Sequence, residues 1–326
     1  MKQGFSLPVL FIGWNLAEDF KTPVTHHFNA TVQQQMGRDM ALEAGYIGAR
    51  GFNQTGFLEA NPGVFQPGQT TRGPRVNPQF SLVRPTASVF KNWYDSLQVS
   101  FRRRPSRGLS FLIAYTLSEA TDHVSGLNLG SPPRPQDGVT IDDIKGPAQY
   151  DVRHRFVASY TWDLPRFTGQ SAPVRHILGG WQFNGIFQAQ TGFPLTATEP
   201  VDIGLRYQSN RPNQTCDPND NAPHTVGQWF NTACFERNKL PQDAGKFGTA
   251  GRNSIRGPGL WNFDLGLFKN FPVSENHRVQ FRFEGFNLFN TTNFENLVTN
   301  IGASNFGAVT SARPSRVLQL GLKYNF

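Results

Sequence analysis

Large apolar side chains alternate with small or polar ones along most of the chain, and the three-to-four-residue spacing of an amphipathic helix hardly appears. Nine stretches read as strands: 23–35, 39–49, 91–104, 108–118, 149–163, 178–195, 259–271, 277–289 and 315–326. Successive side chains of a strand point to opposite faces. Trp261, Phe263, Leu265 and Leu267 therefore share one face, and Asn262, Asp264 and Gly266 the other. In the next stretch Val279, Phe281 and Phe283 alternate with Gln280, Arg282 and Glu284. Leu109, Phe111, Ile113, Tyr115 and Leu117 alternate with Ser110, Ala114 and Thr116, while Leu112 interrupts the polar side. The last stretch sets Leu318, Leu320, Leu322, Tyr324 and Phe326 against Gln319, Gly321, Lys323 and Asn325.

The links between these strands alternate too. Met36-Gly37-Arg38, Pro105-Ser106-Arg107 and Ser274-Glu275-Asn276 are short, and a somewhat longer link spans 166–177. The links near 50–90, 119–148, 196–258 and 290–314 are long and rich in Gly, Pro and Asn. A two-sheet soluble sandwich has no reason to gather every long connection at one end. A transmembrane β-barrel does this, with short periplasmic turns and long extracellular loops, and the nine stretches are near the length that a tilted membrane strand needs. In such a wall the apolar face meets lipid, and Arg282 and Glu284 belong in the lumen, because an Arg at the midplane of the lipid face costs about 2–4 kcal/mol.

Composition agrees. Only 17% of the 326 residues are charged and 13% are aromatic, 29 of them Phe, with 32 Gly and 23 Pro. No run reaches the 18 or so apolar residues that a spanning helix requires, and the mean hydropathy of −0.43 fits a wall apolar on one face only. The net charge of +8 is spread over strands and turns. Its one dense run, Arg102-Arg103-Arg104 with Arg107, reads as a strand end, so nucleic acid is not an expected partner. Leu7 to Trp14 imitates a secretory leader weakly, being short, interrupted by Pro8 and followed by no small-x-small cleavage pattern. On this reading the chain is a piece of something longer.

Cys216 and Cys234 lie in a polar segment and lack the spacing of a metal site. A disulfide closing that loop in an oxidising compartment is the expectation, worth about 3 kcal/mol for a loop of this size, with two free thiols as the alternative. His26 and His27 are neighbours and point to opposite faces of a strand, so they cannot chelate together. Asp151, His154 and Arg155 have no nucleophilic serine on an elbow motif to act with. The glycine-rich run from Gly245 to Gly259 has no Walker lysine and no following helix. Asn-x-Thr triplets at Asn29, Asn53 and Asn213 would be glycosylation acceptors only in a eukaryotic secretory route and are read here as chance matches. No enzyme activity, cofactor or metal is expected.

Several segments resemble a family. Lys21-Thr22-Pro23-Val24-Thr25 leads into Phe28-Asn29-Ala30-Thr31-Val32-Gln33, followed by Leu42-Glu43-Ala44-Gly45-Tyr46-Ile47-Gly48. Asp151 to Phe156, Gly179-Gly180-Trp181-Gln182-Phe183-Asn184-Gly185 and Phe286-Asn287-Leu288-Phe289-Asn290 complete the set. Together they resemble the C-terminal barrel of TonB-dependent outer-membrane receptors, specifically the Oar-like branch. The resemblance implies an all-β, antiparallel transmembrane β-barrel of about 22 strands. Residues 1–326 would supply its last nine, with the plug, the TonB box and the signal peptide absent. It also implies energised uptake of a bulky nutrient such as a siderophore, glycan or peptide, with TonB engaged through the missing N-terminal part. Outer-membrane lipid and the barrel-assembly machinery are the other expected partners. Leu318, Leu320, Leu322, Tyr324 and Phe326 would form the C-terminal assembly signal, read by β-augmentation. Ligand contacts are expected from the long loops, especially 196–258, which carries Trp229, Phe230 and the two cysteines, and 50–90, with no single residue marked out as an anchor. A passive or surface-structural barrel and a secreted β-sandwich binding module remain alternatives.

Overall fold

A computed structural model describes residues 16–66, 73–125, 135–165, 167–201, 210–274 and 277–326; the leader-like run at 7–14 lies outside them. Nine strands form one antiparallel sheet in chain order: β1 (Val24–Met36), β2 (Met40–Phe57), β3 (Thr86–Ser106), β4 (Leu109–Asp122), β5 (His154–Asp163), β6 (Trp181–Gln190), β7 (Leu260–Pro272), β8 (Arg278–Phe286) and β9 (Val317–Asn325). Gly146–Pro147 adds a short rung to the end of β4. Among the described residues no second sheet packs on this one. The sandwich considered from sequence is therefore not formed. Among the described residues the outer edges of β1 and β9 pair with no other strand, leaving an open wall.

The register fixes both faces. On one side Phe263, Leu265 and Leu267 of β7 lie opposite Phe187, Gly185 and Phe183 of β6, while Phe281 and Phe283 of β8 lie opposite Leu322 and Leu320 of β9. The row continues through Phe156 and Trp162 of β5, Phe111 and Ile113 of β4, and Phe101 and Leu42 of β3 and β2. The other side carries Gln182, Asn184 and Gln188, then Asn262, Asp264, Arg282, Glu284 and Gln319. Leu112 sits on this polar side beside Arg102 and Ser159. A slip of one residue would invert every strand's faces, so continuity across nine strands specifies the register strongly.

Short links close one end. Gly37 turns the first hairpin with φ +66°, and Arg107 and Gly108 close β3–β4 as a two-residue turn with φ 50° and 81°. Both positive angles suit the right-handed strand twist of such a hairpin. A Cβ at Gly108 would stand 2.4 Å from the Asp163 carbonyl oxygen, so glycine is required there. The third short link holds a feature the alternation does not announce, the helix α1 (Ala172–Leu178). β2 and β3 extend beyond the expected stretches and shorten the first long link to 58–85; a register shift between Gly51 and Gly56, near Asn53 with φ 53°, bends that extension. β5 and β6 are shorter than expected.

Candidate functional site

At the opposite end the four long loops pack into a joined cap. Its apolar centre contains Ala197, Phe230, Cys234, Phe235, Ala250 and Ile255, flanked by Leu195, Trp229, Leu297, Ile301 and Phe306. Phe230, Phe235 and Phe306 meet edge to face with centroids 5.2–5.9 Å apart, an arrangement worth about 0.5–1.5 kcal/mol per pair beyond area burial. Cys216 and Cys234 are joined by a disulfide. Short ladders brace the cap: Pro194–Leu195 with Ile255–Arg256, Asn213–Gln214 with Phe235–Glu236, and Phe294–Leu297 with Val309–Ala312.

Buried charges tie the cap to the strand ends. Arg252 pairs with Asp122, the last residue of β4, and donates to the Ile144 carbonyl at 2.6 Å. Arg256 reaches Asp151 at 2.5 Å, whose other carboxylate oxygen accepts from the Ala120 amide at 2.7 Å. Gln136 donates to the Gly248 carbonyl and accepts from the Arg211 amide, each at 2.9 Å. Arg211 also pairs with Asp143 at 2.9 Å. Burial pushes the Asp143 carboxyl up and the Arg211 guanidinium down, and their mutual attraction opposes both shifts. Glu59, almost wholly buried, holds Arg84 at 3.4 Å and accepts from the Val83 amide at 2.9 Å.

These partnerships reassign several residues. Phe230 is fully buried in the cap core, whereas Trp229 is half-buried, against His224 and Phe294. Asp151 serves Arg256, whereas His154 stacks on Tyr115 and shares a 2.7 Å hydrogen bond with its hydroxyl. The two do not act together. His26 lies beside Phe52, and no cluster of three or more metal-binding side chains exists among the described residues. The Phe-Asn-Leu-Phe-Asn box is a corner: Asn287 and Asn290 adopt φ 49° and 54°, and the Asn287 amide donates to Asp264 at 2.8 Å. Asn tolerates this left-handed region better than most residues. Phe289 then folds back against Trp261 and Phe263.

The polar face of the wall is concave. A hollow of about 590 Å³ is lined by Ser110, Ser159, Thr161, Asn184, Asp264 and Glu284 among others. At the last edge Leu318, Leu320, Leu322, Tyr324 and Phe326 are 54, 71, 77, 54 and 91% exposed. Tyr324 stacks on His277, with a 2.7 Å bond between its hydroxyl and Nδ1.

A family model described as the outer membrane beta barrel domain matches residues 4–319. The chain belongs to this outer-membrane β-barrel family. Its place is the bacterial outer membrane, with the apolar face against lipid and the polar face toward the lumen. The short turns are then periplasmic and the cap extracellular. Trp261 and Phe271 bound the apolar row of β7. Ten residue steps tilted by about 45° rise by about 24 Å, close to the height of the apolar band of such barrels.

Among solved structures the chain is similar to the outer membrane transporter YddB from Escherichia coli, at 10% identity and TM-score 0.49, covering 95% of this chain and 33% of that one. The ferric-catecholate import receptor Fiu from E. coli K12 gives 13%, 0.45, 95% and 28%, and the ferric preacinetobactin receptor BauA from Acinetobacter baumannii 13%, 0.43, 93% and 29%. The chain thus spans about a third of the length of these proteins. No curated protein matches it.

Proposed function

We propose that this chain is the wall segment of a TonB-dependent outer-membrane receptor of the Oar-like branch, working in energised uptake of a bulky nutrient. The observation that carries the reading is the open sheet. Nine strands with two unpaired edges cannot stand in lipid, where every backbone donor and acceptor needs a partner. Further strands must complete the wall, and a barrel larger than the nine strands described gives a lumen wide enough for a plug and a large solute. The specific sequence segments named above supply the TonB-dependent assignment. Siderophore, glycan and peptide are the candidate cargo classes, and TonB is the energy-coupling partner through a segment outside this chain.

The exposed apolar row of β9, Leu318 to Tyr324, serves assembly in this reading. A free edge with alternating side chains is what β-augmentation by the assembly machinery requires. The test of transport is uptake of labelled siderophore, glycan and peptide pools by cells carrying the full protein, with and without tonB. Uptake lost on deleting either gene supports the proposal. Solute flux that persists without tonB and without proton-motive force establishes the passive-channel alternative instead.

A further inference from the structure

Leu112, which interrupts the polar pattern of β4, does not stand alone on the lumen face. It lies opposite Ser159 of β5, Ser159 lies opposite Ile186 of β6, and Ile186 lies opposite Asp264 of β7. Phe286 ends β8 on the face that carries Arg282 and Glu284. All five line the hollow of about 590 Å³ in the polar face. Leu112, Ile186 and Phe286 are 46, 48 and 45% exposed, so three large apolar side chains stand in a wall that is mainly polar. Scattered singly such residues need no explanation; aligned within one hollow they mark a place that an apolar partner covers.

Their spacing is regular. The three sit on alternate strands, and two strand separations come to about 9.6 Å. Between them Ser159 presents a hydroxyl and Asp264 a carboxylate, and the next row toward the periplasm adds Ser110, Thr161 and Asn184. The lining holds two carboxylates, Asp264 and Glu284, against one guanidinium, that of Arg103, which donates to the Ser106 carbonyl at 3.4 Å. An anionic ferric complex therefore meets no cationic cradle here. A glycan would stack its rings on aromatic faces, and two of the three apolar groups are aliphatic. A peptide in the polyproline II form fits better: it has three residues per turn and rises about 3.1 Å per residue, so every third side chain returns to one face after about 9.3 Å. Its backbone makes no internal hydrogen bonds, which leaves its amides and carbonyls free for the hydroxyl, amide and carboxylate groups of the hollow.

We propose that this hollow is a transit site for an extended peptide with apolar side chains at every third position. Those side chains seat on Leu112, Ile186 and Phe286, and the peptide backbone is held by Ser159, Asp264 and the row of Ser110, Thr161 and Asn184. The inference rests on the reading of this protein as an uptake receptor, and it selects peptide among the three cargo classes.

The experiment uses the full protein that carries this chain, purified from outer membranes in detergent, and two fluorescent peptides of one composition. The first is a seven-residue peptide of leucine, proline and serine with leucine at its first, fourth and seventh positions; in the second the three leucines are adjacent. Anisotropy titration is expected to show about tenfold tighter binding of the spaced peptide, roughly the effect of burying one more leucine side chain. Leu112→Ser/Ile186→Ser is expected to remove that preference and Ile186→Leu to keep it, with heat-modifiable migration reporting the folding of each. The single serine variants are read in parallel. Equal binding of the two peptides, or a preference that survives the double serine variant, would overturn the proposal. Uptake by cells separates it from the transport reading: a spaced-peptide preference in a protein that gives no tonB-dependent uptake supports the site and removes the transporter, whereas tonB-dependent uptake of a siderophore or glycan by a protein without that preference overturns the site alone.

Discussion

The wall and the cap of this protein are stabilised in opposite ways. The wall has almost no buried apolar core: its order comes from backbone ladders and from the side-chain alternation that gives lipid one face and water the other. The cap is built like a small soluble domain, with an aromatic centre, a disulfide and ion pairs at 0–5% exposure such as Arg252 with Asp122. The difference teaches where single substitutions act. In the wall the solvent on each side sets the cost of a change; in the cap the loss of one specific partner does.

The largest expected effect breaks the cap and spares the wall. Arg252→Met leaves the fully buried Asp122 carboxylate without its partner, which costs about 3–5 kcal/mol. Limited proteolysis in native membranes should then cut loops 191–259 and 123–153 far faster, while heat-modifiable migration of the barrel is unchanged. Intact loops in the variant would show that this ion pair does not hold the cap. Phe230→Ala should act similarly, at about 3–5 kcal/mol, through the cavity left between Phe235 and Phe306.

Cys216→Ser/Cys234→Ser comes next. The bond closes a sequence separation of 18, so its removal should cost about 3 kcal/mol, again in the cap alone. Reducing agent should reproduce the protease sensitivity of the serine variant, and a wall that melted with it would blur the distinction between the two regions. The mirror-image test is Leu265→Arg, near the middle of the apolar row of β7. There the cost is about 2–4 kcal/mol, paired with a nearly silent Asn262→Arg on the lumen face. The readout is the fraction of heat-modifiable barrel recovered from outer membranes. Equal recovery of both would remove the two-sided reading.

The smallest effect is one of pH. His123 sits at the seam of wall and cap, edge-on to Phe90 and Trp93, and burial holds its imidazole below its ordinary pKa of 6.5. The folded state then binds fewer protons than the unfolded one. Stability is fully present above pH 6.5 and declines as pH falls from there toward the depressed native value. Cap protease resistance should therefore drop modestly between pH 7.5 and 5.5, and His123→Phe should flatten that slope.

Legibility from sequence followed the same divide. Each wall strand was readable because period-two alternation is local: Trp261 to Leu267, Val279 to Phe283 and Leu318 to Tyr324 declare both strand and face within a few residues. The extra length of β2 and β3 was hidden by Gly51 and Gly56 and by the register shift near Asn53, which interrupt the alternation. The helix at Ala172–Leu178 is too short to show a helical period, although Pro173 in its first turn was a usable signal. The cap was not legible because its partners are remote. Arg252 and Asp122 are 130 residues apart, and nothing near either predicts the other. Phe230 illustrates this, since nothing near it in the sequence shows that Phe235 and Phe306 enclose it in the folded cap.

The central claim is that one face of the sheet meets lipid and the other water. Both cysteines of the chain are in the disulfide, so introduced thiols can be read without background from this segment. Single cysteines placed in turn at 262–267 and 280–283 of the full protein, in native outer membranes, would be treated with a small water-soluble maleimide. The account predicts labelling at Asn262, Asp264, Gly266, Gln280 and Arg282, and protection at Phe263, Leu265, Leu267, Phe281 and Phe283. Labelling without a two-residue period, or with the two sets exchanged, would contradict it.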